Sequence, residues 1–201
     1  MHPLLTPPDP VQAARALLGA ELITSVGGHV TSVRITETEA YFAPEDRASH
    51  AFAGKRTKRT EVFFAAPGTA YVYLCYGIHE MMNVVTGPAG VPHAVLIRAG
   101  SPVRGIDVME QRRKVKAANP RLSSGPGVLT KALGIDRTMN GLDLSKPAGP
   151  IHLVMPKQIL PDEAIASTPR IGIDYAGEPW VSKPWRFYVK DSIYVSRLKK
   201  N

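Results

Sequence analysis

The 201-residue sequence contains one cysteine, Cys75. That excludes a disulfide framework and any cluster of thiolate metal ligands, and it makes a reducing compartment the expectation. No apolar run approaches the roughly 18 residues that a membrane-spanning helix needs. The opening MHPLLTPPDP lacks a basic stretch followed by an apolar one, so no signal peptide is expected and a cytoplasmic location is. The six histidines show no metal-ligand spacing, so neither metal nor cofactor is expected. Ser123-Ser124-Gly125-Pro126-Gly127 lacks the lysine and the spacing of a phosphate-binding loop, and no G-x-S-x-G elbow is present. Acidic residues are also scarce. Seventeen Asp and Glu face twenty-five Lys and Arg, a formal charge of +8 that favours polyanionic partners, of which nucleic acid is the commonest.

Turn formers, by contrast, are plentiful. Seventeen glycines and eighteen prolines argue against a helical bundle and for short strands mixed with a few helices. Asp9-Pro10 ahead of Ala13, Ala14, Leu17 and Leu18 predicts a capped amphipathic helix that ends at Gly19. Residues 21–26 and 30–41 flank Gly27-Gly28 and predict a β-hairpin. Further strands are expected at 70–75, 94–99, 151–155, 186–189 and 193–196, with helices at 105–118 and from about 124 to 133. This order lacks strict strand–helix alternation. It predicts an α+β fold: one domain over residues 1–201, with a mixed, mostly antiparallel sheet and surrounding helices. The proline-rich segment 141–161 could mark a boundary, but the residues after it are too few for a second core.

Four features carry possible chemistry. In the strand through 33–41, alternation places Val33, Ile35, Glu37, Glu39 and Tyr41 on one face. The apolar members nominate that face as inward, which would bury two carboxylates. Buried carboxylates are costly and mark candidate sites, whereas a strand end emerging into solvent would leave both wet; the pattern alone favours the wet reading. In Tyr71-Val72-Tyr73-Leu74-Cys75-Tyr76-Gly77, the tyrosines are either ordinary strand formers, which the pattern favours, or stacking faces for bases. Arg98 lies on an otherwise apolar strand and calls for an anion, which either glutamate supplies. Finally, Lys55, Arg56, Lys58 and Arg59 form one basic cluster, and Arg112, Arg113, Lys114, Lys116 and Arg121 form another. Each is either a solvated face or a phosphate-binding surface.

The run Glu37-Thr38-Glu39-Ala40-Tyr41, followed by Pro44-Glu45-Asp46 and Ala48-Ser49-His50, resembles the alkyladenine (3-methyladenine) DNA glycosylase family. The resemblance continues through Pro67-Gly68-Thr69-Ala70-Tyr71-Val72-Tyr73, Tyr76-Gly77, Met82-Asn83, Leu96-Ile97-Arg98 and Ser124-Gly125-Pro126. It closes with Arg170-Ile171-Gly172, Ala176-Gly177-Glu178, Lys183-Pro184 and Arg186-Phe187-Tyr188-Val189, in family order over nearly the whole chain. It implies a curved sheet, and a monofunctional enzyme that flips damaged purines out of duplex DNA and hydrolyses the N-glycosidic bond.

By position, the resemblance makes Glu39 the base that activates water, with Arg98 and the Ile171 carbonyl helping to hold that water. Tyr41, His50 and Tyr73 become the walls around the flipped base, Tyr71 their support, and Asn83 the gate against normal guanine. Tyr76 becomes the residue inserted into the duplex. Arg113 becomes a backbone contact, and the charge clustering adds Lys55, Arg56, Lys58 and Arg59 as expected backbone contacts. The implied substrate is double-stranded DNA bearing alkylated and possibly deaminated purines, bound by a monomer associated with the nucleoid if the source is bacterial. A non-catalytic nucleic-acid-binding module on the same fold is the alternative. A hydrolase of free nucleosides is a third reading.

Overall fold

The computed structural model describes residues 3–7 and 9–196. Its first helix, α1 (Pro10–Ala16), begins where the sequence predicts, with the Asp9 carboxylate accepting the Val11 amide at 2.8 Å. Strands β1 (Glu21–Val26) and β2 (His29–Tyr41) pair across Gly27-Gly28, whose φ values of 63° and 76° suit a tight hairpin. The remaining strands are β3 (Ala70–Cys75), β4 (His79–Thr86), β5 (His93–Arg104), β6 (Ile151–Val154), β7 (Ile165–Thr168) and β8 (Arg186–Val189). Helices α2 (Ile106–Arg113) and α3 (Pro126–Leu133) complete the set.

The strands form an open sheet in the order β3-β4-β5-β2-β1-β6, and every described pairing is antiparallel. The sheet forks on β2. Its first half pairs with β1, while Glu37, Thr38 and Glu39 pair with β8, which in turn pairs with β7. The fold is thus α+β with a curved sheet. The three helices pack on one face, and the core gathers Leu17, Leu18, Leu22, Val33, Ile35, Val95, Ile97, Met109, Leu129 and Leu133. The segment between α3 and β7 is woven into the sheet. Ala70 donates to the Leu142 carbonyl at 2.8 Å, and Leu153 donates to that of Leu144 at 2.8 Å.

The inward face of β2 is not the one that simple alternation predicts. Ile35 pairs with Gly100 and Glu37 with Ala99, so Thr36 is an extra residue in the ladder. Such a bulge puts two consecutive side chains on one side and reverses the pleat beyond it. Thr36 and Glu37 both reach the C-terminal segment, bonding Tyr194 and Ser196 respectively. Past the bulge the core side is taken by Thr38, whose hydroxyl donates to the Ala14 carbonyl of α1 at 2.9 Å, and by Ala40. Glu37, Glu39 and Tyr41 therefore leave the face of Val33 and Ile35 and point away from the helices. Both carboxylates are still wholly buried, because a second layer of chain covers that face.

Two other expectations need correction, and two strands lie outside what was expected. Residues 193–196 form no strand; their backbone is used instead to bond Thr36, Glu37 and Arg186. The helix expected over 105–118 stops at Arg113, where Lys114 turns left-handed (φ 53°) and Glu110 accepts the Ala117 amide at 2.7 Å. Strand β4 was not expected, since Glu80 and Asn83 interrupt any apolar alternation, and β7 is too short to leave a pattern.

Candidate active site

One row of residues crosses the face of the sheet that points away from the helices. Tyr71 on β3 is opposite Asn83 on β4, Asn83 is opposite Leu96 on β5, and Leu96 is opposite Glu39 on β2. Directly opposed residues share a face, so strand pairing alone assembles a tyrosine, an amide and a carboxylate from distant parts of the chain. Above this row opens a cavity of about 660 Å³. Its lining includes Tyr41, His50, Arg59, Tyr71, Tyr73, Tyr76, Asn83, Leu96, Arg98, Ile171 and Tyr175.

Glu39 lies just beneath the floor. Its Oε1 accepts the Ile171 amide at 2.8 Å and lies 3.2 Å from Nη1 of Arg98, and its Oε2 accepts the Tyr41 hydroxyl at 2.9 Å. All three partners line the cavity. A carboxylate has about four acceptor places, so one is spare. Ile171 meets Glu39 through its amide, a contact absent from the expected role of its carbonyl. Burial pushes the Tyr41 hydroxyl well above its ordinary range, with the Glu39 charge acting the same way, so Tyr41 stays a donor.

Glu37 is closed. Its Oε1 accepts from Nε of Arg98 at 2.9 Å and Nε of Arg186 at 2.7 Å, while its Oε2 accepts the Ser196 amide and hydroxyl, both at 2.6 Å. Burial alone would raise this carboxyl, but Arg98, Arg186 and the Ser196 bonds outweigh it and hold the group below the usual carboxylate range. Arg98 thus serves both glutamates.

The cavity walls are aromatic. His50 and Tyr73 meet edge-on, with ring centroids 4.6 Å apart, and Tyr71 stacks beside Tyr73 at 5.3 Å. His50 Nδ1 lies 3.1 Å from the buried Tyr71 hydroxyl. Burial, reinforced by the Arg59 charge, lowers the His50 pKa to about 4, so the ring is neutral at physiological pH. Asn83 is buried and donates through Nδ2 to the Tyr71 carbonyl at 3.3 Å. Tyr76 occupies the tip of the β3–β4 hairpin and is 91% exposed. There, Tyr76 and Gly77 both turn left-handed (φ 50° and 73°), and Ile78 donates to the Cys75 carbonyl at 3.1 Å. A bulky residue in that backbone region marks a position held for a reason other than local comfort.

The basic residues separate into two groups. Lys55, Arg56, Lys58 and Arg59 are all exposed on one loop, but Arg56 is engaged by Glu61 at 2.6 and 2.8 Å. Arg59 lines the cavity, with its guanidinium 5.0 Å from the Tyr73 ring. In the second cluster, Arg113 donates to the carbonyls of Leu122 and Arg121 at 3.2 and 3.1 Å, and Arg112 to those of Ala132 and Val26. Both side chains brace the fold away from the cavity. Among the described residues, no group of three or more His, Cys, Asp or Glu gathers as a metal site, and no helix is long and apolar enough to cross a membrane.

Sequence reasoning missed three contributors. Tyr175 stands on the rim, 71% exposed, with its hydroxyl donating to the Ala48 carbonyl at 3.1 Å. Arg186 and Ser196 complete the Glu37 cage. Arg186 falls in a matched run and could have been nominated by the same logic as Arg98, an arginine among apolar strand residues. Ser196 carries no such signal.

The model of the methylpurine-DNA glycosylase family matches residues 5–193. A Bacillus cereus (strain G9842) protein bearing the name "Putative 3-methyladenine DNA glycosylase" is 46% identical over 195 residues, covering 94% of this chain and 95% of its own. Proteins of the same name from Bacillus anthracis (strain A0248) and Desulfitobacterium hafniense (strain Y51) are 45% and 43% identical, again over 94% of this chain and 95% and 94% of theirs.

Proposed function

This chain belongs to the methylpurine-DNA glycosylase family and is a DNA glycosylase, a hydrolase of N-glycosyl bonds; we propose that it excises alkylated purines by activating water with Glu39. The observation that carries this reading is a wholly buried carboxylate with one spare acceptor place, under a cavity walled by Tyr41, His50 and Tyr73. A base cannot be hydrolysed inside the stack, so the nucleotide must leave the duplex and something must fill the gap. In this reading Tyr76, at an exposed hairpin tip beside the cavity mouth, fills it. The aromatic walls suit an alkylated base because a positively charged ring gains from π faces.

Hydrolysis passes through an oxocarbenium-like sugar. Glu39 stabilises that charge and takes the proton of the attacking water, and Arg98 and the Ile171 amide hold the carboxylate in place. A base that is already cationic leaves as a neutral molecule and needs no acid. Deaminated purines leave as anions unless protonated. The cavity offers them little: His50 is neutral down to about pH 4, and burial raises the hydroxyls of Tyr41, Tyr71 and Tyr73. Alkylated purines are therefore the primary substrates, with hypoxanthine a slower one. No lysine lines the cavity, which fits simple hydrolysis without a Schiff-base intermediate or strand cleavage.

The test is single-turnover base release from duplexes that each carry one lesion, with wild type and Glu39→Gln. The variant is expected to bind a duplex with an abasic-site analogue as wild type does, yet to lose base release. Full activity in Glu39→Gln would remove Glu39 from the role, and DNA binding by wild type without any release would favour a non-catalytic module.

A further inference from the structure

Behind the wall that Tyr41 presents to the cavity lies an ion pair that the proposed chemistry does not itself require. The side chains of Arg170 and Asp46 are wholly buried. Nη2 of Arg170 donates to Oδ1 of Asp46 at 2.9 Å, and Nη1 donates both to Oδ2 and, at 2.9 Å, to the Ala40 carbonyl. The guanidinium carbon is 4.7 Å from the centroid of Tyr41 and 5.1 Å from that of Trp185. Its Nε has no hydrogen-bond partner. A buried pair is weak evidence for stability, since well-packed apolar residues often replace one without loss.

The stretch with Trp180, whose carbonyl accepts from Nη2 at 3.4 Å, and Trp185 packs on this guanidinium, and three further segments that each carry a group of the proposed site meet there. Strand β2 arrives through the Ala40 carbonyl, flanked by Glu39 and Tyr41. The loop that leads to His50 arrives through Asp46, which also accepts the amides of Phe42 and Ala48 at 3.2 and 3.0 Å. The segment after β7 is Arg170 itself, and the amide of the next residue, Ile171, donates to Glu39 at 2.8 Å. Arg170 does not line the cavity, so it acts only through these neighbours.

We propose that the Arg170–Asp46 pair is a positioning element for base excision, setting the plane of Tyr41 and, through the Ile171 amide, the aim of the Glu39 carboxylate. The proposal rests on Glu39 being the base. A planar fork is essential to it: lysine keeps the charge but offers neither the two parallel donors nor a flat face to lie against two rings. Displacements of about 1 Å in a positioned group cost about a hundredfold in rate.

The test compares Arg170→Lys and Asp46→Asn with Glu39→Gln and wild type, all in the full chain. Single-turnover excision of a methylated purine is measured at saturating enzyme, well below each melting temperature. Affinity is measured for a duplex with an abasic-site analogue, which places no base against Tyr41. Both pair variants are expected to lose about 10- to 100-fold in the excision rate constant while binding the abasic duplex within about threefold of wild type. A wild-type rate constant in the folded variants, whatever their melting temperatures, overturns the proposal and makes the pair purely structural. An equal loss of abasic-duplex affinity also overturns it, by moving the pair's role to the DNA surface. Should Arg170→Lys fail to fold, the near-isosteric Asp46→Asn decides alone. Full activity in Glu39→Gln would sink the base assignment instead, an outcome distinct from wild-type rates in the pair variants.

Discussion

Glu37 and Glu39 stand two residues apart on β2, both wholly buried and both touching Arg98, yet they occupy opposite kinds of surroundings. Glu37 accepts from Arg98, Arg186 and twice from Ser196, which uses all of its roughly four places. Glu39 accepts from three partners, and all three belong to the cavity lining. The same residue type on the same strand thus makes a closed structural node in one case and a group with spare capacity against a cavity in the other. Burial and charge pairing do not separate the two roles; the number of open acceptor places and what lies beyond them do.

Substitution should separate them sharply. The largest effect is expected from Glu39→Gln, which keeps the shape and the Ile171 bond but cannot take a proton. Excision should fall by about 10² to 10⁴-fold, with the melting temperature near that of wild type. Glu37→Gln should do the reverse. It leaves Arg186 facing a neutral amide and Arg98 with Glu39 alone, and breaking a buried pair costs about 3–5 kcal/mol. Denaturant unfolding should report that loss, while excision per folded molecule stays within several-fold. Equal loss of rate in both variants would dissolve the distinction between the two carboxylates.

A third substitution asks whether the open region needs DNA to work. Tyr76→Ser removes the exposed hairpin residue without touching either carboxylate. Filling the gap left by a flipped nucleotide offsets a few kcal/mol of lost stacking, so excision from duplex should drop by about 10²-fold. Turnover of a free nucleoside, if any, should not change. A parallel fall in both would mean that Tyr76 shapes the cavity rather than the duplex.

Much of this site was legible from residues that match a known family. Glu39, Tyr41, His50, Tyr71, Tyr73, Asn83, Arg98 and Ile171 do assemble around one cavity. The β1–β2 hairpin, α1 and α3 followed from turn and cap residues that act locally. What alternation misread was the face of β2, because the extra residue at Thr36 arises from pairing with β5 and leaves no mark on β2 itself. The Glu37 cage was illegible for a related reason: Arg186 and Ser196 lie about 150 residues further along the chain and meet it only through the fork in the sheet. Asp46 and Arg170 are separated by 124 residues and give no local signal of a pair.

The smallest expected effect concerns pH, where the two regions should also separate. His50, on the cavity wall, has a pKa lowered by burial and by Arg59 from 6.5 to about 4. As pH falls below about 6.5 the unfolded chain takes up a proton there that the folded protein does not, so stability declines down to about pH 4 and then levels off. The loss is on the order of 2 kcal/mol once the solvent that reaches the ring is allowed for. Glu37 is also held below its ordinary value, so its contribution is present above about pH 4.5 and disappears on further acidification. The two windows adjoin without coinciding. Urea unfolding of wild type and His50→Gln between pH 7.5 and 4 should show a slope in the first protein that is missing in the second, with both declining together at lower pH. Identical slopes across the upper window would mean that the imidazole takes up its proton equally well folded and unfolded, and the wall around it would then be more open to water than the cavity geometry implies.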